Sequence, residues 1–426
     1  MDTSTEPWAA PAAQGRLAAT VRLPGSKSLT NRALVLAALS ETPTRISAPL
    51  RARDTDLMAS ALGALGVGVL DSGTDWIVRP GPLHAGSVDC GLAGTVMRFV
   101  PALAALADGR SRFDGDPHAR NRPMDVLIGA LRQAGARIED QGRGSLPFTV
   151  DGQGSLAGGR IELDSSTSSQ FVSALLLAAS RFDRGAEIQH VGPVLPSLPH
   201  IEMTVSALIG AGAAVQTLGA GHWVVAPGKL DLPDQLIEPD LSNAAPFLAA
   251  ALVTGGSVTV PHWPAVTSQP GDLLRELLTS MGATVSSGPA GLTVTGTGSI
   301  APLVADLHEA SELTPVLAAL CALADGESRI SGVAHIRGHE TDRLAALRTE
   351  LVAAGADVRE TSDGLVIRPA ALSPVLWHAY ADHRMAQAGA LLGLAVDGVT
   401  VDDIASTRKT LADFPGLWAD LLGQSG

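Results

Sequence analysis

The sequence predicts an α/β protein of two domains, each built from three copies of one supersecondary unit. Three observations lead there. Six nearly apolar helices, each introduced by a polar cluster, start roughly 65–75 residues apart. Among them lie amphipathic helices that end at glycine and run into short alternating strands. A chain of 426 residues also exceeds one ordinary core and favours two domains of about 200 residues each.

The first of these helices sets the pattern. Pro24-Gly25-Ser26-Lys27-Ser28-Leu29-Thr30-Asn31-Arg32 is turn chemistry with hydroxyl and cationic groups, and Ala33–Leu39 is wholly apolar. Ser and Thr accept hydrogen bonds from the free N–H groups of a first helical turn. Lys27, Ser28 and Arg32 therefore stand at a buried helix N-terminus, where the macrodipole and open N–H groups favour an anion such as phosphate or carboxylate. The six helices are expected at Ser28–Leu39, Gly94–Ala107, Ser168–Ser180, Leu241–Val253, Glu312–Ala324 and His383–Val396.

The amphipathic partners are expected at Leu57–Leu65, Asp125–Ala134, Met203–Ile209, Leu273–Met281 and Arg343–Ala354, with Thr410–Leu422 closing the sixth unit. Gly66, Gly135, Gly212, Gly282 and Gly355 fall where helix C-caps belong. Strands follow at Val67–Leu70, Ala136–Glu139, Ala214–Thr217, Ala283–Ser286 and Ala356–Glu360. Val21-Arg22-Leu23 reads as a further strand. Six units divide as three and three, with crossings near Leu23-Pro24-Gly25 and Leu236–Asp240. The expected domains are residues 1–23 with 239–426, discontinuous, and an inserted 24–238, with the two crossings as hinge. Helix starts lining facing domains would then close a cleft around a multiply anionic substrate.

Composition narrows the function classes. Forty-three acidic against 30 basic residues leave a net charge of −13, which argues against general nucleic-acid binding. Apolar runs of about ten residues are too short to cross a bilayer, so no membrane association is expected. Met1 to Gln14 has Asp2 and Glu6, no basic residue and no apolar core, and does not read as a signal peptide. Two cysteines, Cys90 and Cys321, make no disulfide framework and fit a reducing cytoplasm. Both sit in apolar surroundings and read as inert core thiols.

The only lysines are Lys27, Lys229 and Lys409, and two of the three stand in candidate site motifs. Gly25-Ser26-Lys27-Ser28 lacks the upstream glycine of a P-loop. No zinc-type spacing and no G-x-S-x-G elbow occurs.

Read in order, Pro24-Gly25-Ser26-Lys27-Ser28, Ala93-Gly94-Thr95-Val96-Met97-Arg98, Ser168-Ser169-Gln170-Phe171, Glu340-Thr341-Asp342-Arg343-Leu344 and Asp382-His383-Arg384-Met385-Ala386 resemble the 5-enolpyruvylshikimate-3-phosphate (EPSP) synthase family over essentially the full length. The resemblance implies an inside-out α/β barrel arrangement of six βαβαββ-type repeats, three per domain, with an interdomain active-site cleft. It implies a cytoplasmic enzyme of the shikimate pathway, monomeric and without metal or organic cofactor. Its substrates would be phosphoenolpyruvate and shikimate 3-phosphate. The resemblance further implies inhibition by glyphosate, which resembles phosphoenolpyruvate in charge layout, with Gly94 present.

Carried residue by residue, the resemblance puts shikimate 3-phosphate on Lys27, Ser28, Arg32, Ser168, Ser169, Gln170 and Ser197, with Glu312 and His339. Phosphoenolpyruvate would meet Lys27, Gly94, Arg122, Gln170, Arg343, Arg384 and Lys409. Arg forks suit its carboxylate and phosphate, and Gly94 permits close backbone approach. Glu312 would be the base for the 5-hydroxyl, Glu340 or Lys27 would protonate the methylene carbon, and His383 completes the catalytic set. Three positions depart from the commoner pattern. His339 stands where Lys is frequent, His200 where Tyr is frequent, and Leu92 replaces an Asn.

Two other readings are weighed. The sister transferase acting on UDP-N-acetylglucosamine typically carries a Cys on a mobile loop, and Asp114–Pro123 has Arg120 and Arg122 but no Cys. A non-catalytic anion binder on the same fold would have lost the acid–base carboxylates, whereas Glu312 and Glu340 are both present.

Overall fold

The computed structural model describes residues 6–424. Its helices, in chain order, are α1 (Lys27–Leu39), α2 (Arg53–Ala64), α3 (Gly94–Leu106), α4 (Asp125–Gln133), α5 (Gln170–Ala179) and α6 (Leu198–Gly210). They continue with α7 (Ala245–Thr254), α8 (Leu274–Ser280), α9 (Thr314–Ala322), α10 (Arg343–Ala353), α11 (His383–Ala395) and α12 (Phe414–Leu421). The chain divides into two compact units, one from the segments Met1–Pro24 and Pro239–Gly426, the other from Gly25–Glu238. Each has its own apolar core.

The odd-numbered helices are the apolar ones, and they are almost wholly buried: Leu34, Phe99, Leu176, Leu248, Leu317 and Leu391 have no exposed surface. A helix apolar all round has no solvent face to offer and becomes the centre of its unit. The even-numbered helices bury one stripe and end in left-handed glycines. Gly66, Gly135, Gly212, Gly282 and Gly355 have φ between +87° and +104°, a conformation in which Cβ would clash.

One sheet plan recurs. In the second repeat of the Gly25–Glu238 unit, Ser87–Asp89 pairs parallel with Asp108–Asp114. That strand is antiparallel to Phe148–Gln153, which closes a hairpin with Arg137–Glu139. With α3 and α4 interleaved the order is βαβαββ, and the parallel pair is bridged by a helix as such pairs require. Five four-stranded sheets follow this plan, and one sheet has three strands.

Two of the sheets are completed by distant chain segments. Gln235–Leu236 pairs parallel with Thr44–Ser47, and Ala18–Thr20 pairs parallel with Ser257–Thr259. Trp8–Ala9 adds to Thr400–Val401 as the outer strand of the three-stranded sheet. The N-terminal segment thus supplies strands to the unit that holds the C-terminal half.

The structure adjusts several expectations. The N-terminal strand lies at Ala18–Thr20 rather than Val21–Leu23, because Pro24 follows and Val21 makes one last ladder bond to Thr259 O at 2.9 Å. The helices expected from Ser168, Leu241 and Glu312 begin at Gln170, Ala245 and Thr314. Their polar leaders form turns instead, and in the last case a 3-10 turn, Ser311–Leu313. Hydroxyl and carboxylate side chains compete for backbone donors and favour such turns over helix interior.

Candidate functional sites at the helix starts

In the Gly25–Glu238 unit, Ser26 caps α1 through its hydroxyl, which accepts from Leu29 N–H. Lys27 is therefore the first helical residue, and its ammonium lies 3.6 Å from the buried carboxylate of Asp54. Arg32, one turn on, is 3 % exposed. Its guanidinium donates to Thr204 Oγ1 at 2.8 Å, to the carbonyl of Ser28 at 3.0 Å and to the carbonyl of His200 at 2.8 Å. These partners are neutral, and burial pushes the group down to about 9, still charged at neutral pH. A buried cation served only by neutral acceptors is a strong receptor for an anion.

The start of α3 carries the next cations. A Cβ on Gly94 would lie 3.1 Å from one Arg122 nitrogen and 3.2 Å from Arg98 Nη1. Two guanidinium groups thus flank a helix N-terminus whose first residue has no side chain. Asn31 Nδ2 donates to Thr95 Oγ1 at 2.7 Å and ties α1 to α3. Before α5, Ser165 Oγ donates to the carbonyl of Ser168 at 2.5 Å and Gln170 N–H to Ser168 Oγ at 3.3 Å. Ser169 is buried, and Gln170 Oε1 is buried without a hydrogen-bond partner. Ser197, also buried, precedes α6 in a left-handed conformation, φ 52°, a strained choice for serine that holds its side chain at one angle. His200 contributes its carbonyl to Arg32.

The other unit gathers a second set. Arg343, 3 % exposed, forks onto Asp382 with Nε–Oδ2 at 2.7 Å and Nη2–Oδ1 at 3.1 Å. Arg343 also donates to Glu340 Oε2 at 2.9 Å and to His339 Nδ1 at 3.2 Å. Glu340 in turn accepts from Lys409 Nζ. Burial works against the Arg343 charge, but Asp382 and Glu340 outweigh it and raise its pKa above the usual guanidinium value. Asp382 caps α11 by accepting from Arg384 N–H at 2.9 Å, and buried His383 lies beside it, Nδ1 to Oδ1 3.7 Å. Arg384 donates to the carbonyl of Ser242 at 2.7 Å. Burial lowers its pKa, partly offset by Asp240 and Glu312. Glu312 Oε1 accepts from Ser242 Oγ at 3.0 Å. Arg384 and Glu312 are thereby both held to Ser242.

Histidines border this set. His335 meets Ser311 Oγ at 2.8 Å, and its ring lies 6.0 Å from His308 and 5.8 Å from His339. Burial pushes His335 down to about 4; His308 adds to the effect, Glu312 opposes it and Arg343 adds again. The unfolded chain protonates this residue at about 6.5, so between those values the unfolded state binds the extra proton. Stability attributable to His335 is therefore full above about pH 6.5 and falls as pH drops toward 4. The melting temperature of His335→Asn should decline less over that window than the parent's; parallel declines would assign the acid sensitivity to other groups.

Each sequence-predicted residue thus lies in one of two sets. Lys27, Ser28, Arg32, Gly94, Arg122, Ser168, Ser169, Gln170 and Ser197 are in the Gly25–Glu238 unit. Glu312, His339, Glu340, Arg343, His383, Arg384 and Lys409 are in the other. The carboxylates that brace the cations went unread as site residues: Asp54 on Lys27 and Asp382 on Arg343. Asp382 stood within a quoted motif; Asp54 had only its place in the first turn of α2 to mark it. Cys90 and Cys321 have no exposed surface, and burial pushes both thiols up to about 12. Among the described residues no His/Cys/Asp/Glu cluster could hold a metal ion, and no helix is long and apolar enough to cross a membrane.

The family model EPSP synthase (3-phosphoshikimate 1-carboxyvinyltransferase) matches residues 11–418. A 3-phosphoshikimate 1-carboxyvinyltransferase of Kocuria rhizophila is 52 % identical over 432 residues, covering 98 % of this chain and 97 % of that one. Among solved structures, an EPSP synthase from Acinetobacter baumannii superposes with a TM-score of 0.79 at 22 % identity, covering 99 % of this chain and 98 % of the other. The enolpyruvyl transferase NikO from Streptomyces tendae gives 0.75 at 20 % identity, covering 96 % of each chain. At such identities the structures speak for the fold alone, and the shared sequence speaks for the family. With the motifs standing at the starts of α1, α3, α5, α10 and α11, the chain belongs to the EPSP synthase (3-phosphoshikimate 1-carboxyvinyltransferase) family.

Proposed function

We propose that this chain moves the enolpyruvyl group of phosphoenolpyruvate onto the 5-hydroxyl of shikimate 3-phosphate, releasing inorganic phosphate, and that the two sets described above perform the transfer. The carrying observation is the concentration of buried cations at helix starts in a protein of net charge −13. Arg32, held by neutral acceptors alone, gains its counter-ion from the shikimate phosphate. Lys27, Ser28, Ser168, Ser169 and Ser197 add donors to that phosphate and ring. Gln170 Oε1, buried without a partner, accepts from a substrate hydroxyl. Arg122, Arg343, Arg384 and Lys409 surround phosphoenolpyruvate, with Gly94 leaving room for it.

Glu312 takes the proton of the 5-hydroxyl as that oxygen bonds to C2 of phosphoenolpyruvate. The methylene carbon receives a proton from Lys27, whose ammonium is a donor. The product of addition is a tetrahedral ketal phosphate. Elimination expels phosphate, which takes up the proton held on Glu312, and passes a methyl proton to Glu340, which in this arrangement accepts from both Lys409 and Arg343. Glu340 then releases its proton and Lys27 regains one, closing the cycle. His339 faces the shikimate ring as a donor through Nε2–H, since its Nδ1 accepts from Arg343. The enzyme works as a cytoplasmic monomer without metal or organic cofactor.

The test is phosphate release from phosphoenolpyruvate with shikimate 3-phosphate, with UDP-N-acetylglucosamine, or with neither. Release only with shikimate 3-phosphate is expected. Release only with the sugar nucleotide would move the chain to the sister reaction, and none from folded protein would leave an anion-binding protein.

Gly94→Ala gives a graded check. Its Cβ would press to 3.1–3.2 Å on the guanidinium groups of Arg122 and Arg98, which must yield by a few tenths of an ångström. Alanine suits a first helical turn, so the melting temperature should hold while KM for phosphoenolpyruvate rises several-fold and KM for shikimate 3-phosphate stays near the parent's. An unchanged phosphoenolpyruvate KM would remove this helix start from that substrate's site.

A further inference from the structure

The loop that delivers Asp382 is strained. Tyr380 and Ala381 are consecutive non-glycine residues with φ of 55° and 54°, each disfavoured by contact of Cβ with the backbone. Such a pair persists only where its surroundings hold it. The holding groups form one connected set. Tyr380 OH donates to Glu350 Oε1 at 2.5 Å, and Glu350 Oε2 accepts from His378 N–H at 3.0 Å. Asp402 accepts from Ala379 N–H at 2.8 Å through Oδ1, and its Oδ2 lies 2.8 Å from His378 Nδ1. Trp377 Nε1 donates to the carbonyl of Met385 at 2.9 Å, tying the strand before the loop to the helix after it. Glu350 is 1 % exposed on α10, the helix that begins with Arg343.

We infer that Tyr380 is a positioning residue for the reaction: its hydroxyl, clamped on Glu350, holds the left-handed turn that aims Asp382 at Arg343. Two residues beyond Tyr380, Asp382 both caps α11 and carries the Arg343 fork. Arg343 leads on to Glu340 and Lys409. Releasing the turn lets Asp382 withdraw and the Arg343 guanidinium rotate, although neither Tyr380 nor Glu350 belongs to the substrate sets. The inference rests on the proposed reading of Arg343 and Lys409 as ligands of phosphoenolpyruvate.

Tyr380 is the only tyrosine in the chain, which supplies a direct spectroscopic readout. Burial, then the hydrogen bond and charge of Glu350, then Asp402, push its phenol up to about 12; His378, ring centroid 6.3 Å away, is the other titratable neighbour. The experiment compares the parent with Tyr380→Phe, Glu350→Gln and the double variant. Active parent enzyme establishes the function reading independently, and a parent without activity would fail that reading while leaving the titration interpretable. In Glu350→Gln the tyrosinate absorbance should appear at lower pH than in the parent; the same onset would mean the clamp is absent in solution and would overturn the inference.

In Tyr380→Phe, KM for phosphoenolpyruvate should rise about tenfold, the scale of a lost bond to a charged group, while KM for shikimate 3-phosphate changes less than twofold. The double variant should lose no more than the worse single one, because both remove one bond. Multiplied losses, or a phosphoenolpyruvate KM within twofold of the parent's in Tyr380→Phe, would reduce the residue to a structural role. Should Glu350→Gln fail to fold, Tyr380→Phe alone decides by the same KM criterion.

Discussion

Glu312→Gln is expected to lower turnover by about 100- to 10,000-fold, the range a positioned general base contributes. The substitution is a clean one in this setting. Ser242 Oγ donates to Glu312 Oε1, and a glutamine carbonyl accepts the same bond, so the side chain keeps that anchor while losing its charge and its basicity. The melting temperature should stay within a few degrees of the parent's, and KM for either substrate should move far less than kcat. A variant with more than a tenth of parental turnover would hand proton abstraction to another group. Full activity would make Glu312 an ordinary carboxylate at a helix start, where its charge offsets the macrodipole.

Arg343→Ala is expected to have the largest effect on the folded protein. Arg343 is shared among Asp382, Glu340 and His339, and its Asp382 partner has no exposed surface. Truncation leaves a buried carboxylate without its fork. Breaking such a pair costs about 3–5 kcal/mol, which corresponds to a fall of about 6–20 °C in melting temperature for a unit of this size. Arg343→Lys keeps a charge but not the planar fork, and should fall between the two while still losing affinity for phosphoenolpyruvate. A melting temperature for Arg343→Ala within about 2 °C of the parent's would show that Asp382 finds other donors and that the network is looser than its geometry.

What the sequence disclosed and what it hid follow from the range of each interaction. The apolar runs after Arg32, Arg98 and Arg384 announced buried helices because burial on every face leaves a local mark. The five glycines after the amphipathic helices announced their ends for a similar reason: a left-handed cap is a one-residue requirement. The leaders Ser168–Ser169, Leu241–Asn243 and Glu312–Leu313 were read into helices that begin after them, since serine and acidic side chains favour turn and helix entry alike. Tertiary pairs were less legible. Asp54 braces Lys27 from 27 positions away, and nothing near either residue indicates the other. The strands Ala18–Thr20, Trp8–Ala9 and Gln235–Leu236 are too short to show a period, and their partners lie far along the chain. The left-handed turn at Tyr380–Ala381 had no signal at all, because neither residue is a turn former.

Phosphate release alone would also come from a hydrolase, so the most direct test follows carbon. Phosphoenolpyruvate labelled with 13C at C2 is incubated with the protein and shikimate 3-phosphate, and the label is followed by NMR. The expected result is a new vinyl ether carbon bonded through oxygen to C5 of the shikimate ring, appearing as phosphoenolpyruvate disappears and free phosphate accumulates. Label recovered as pyruvate, or left in phosphoenolpyruvate by folded protein with both substrates present, would contradict enolpyruvyl transfer by this chain.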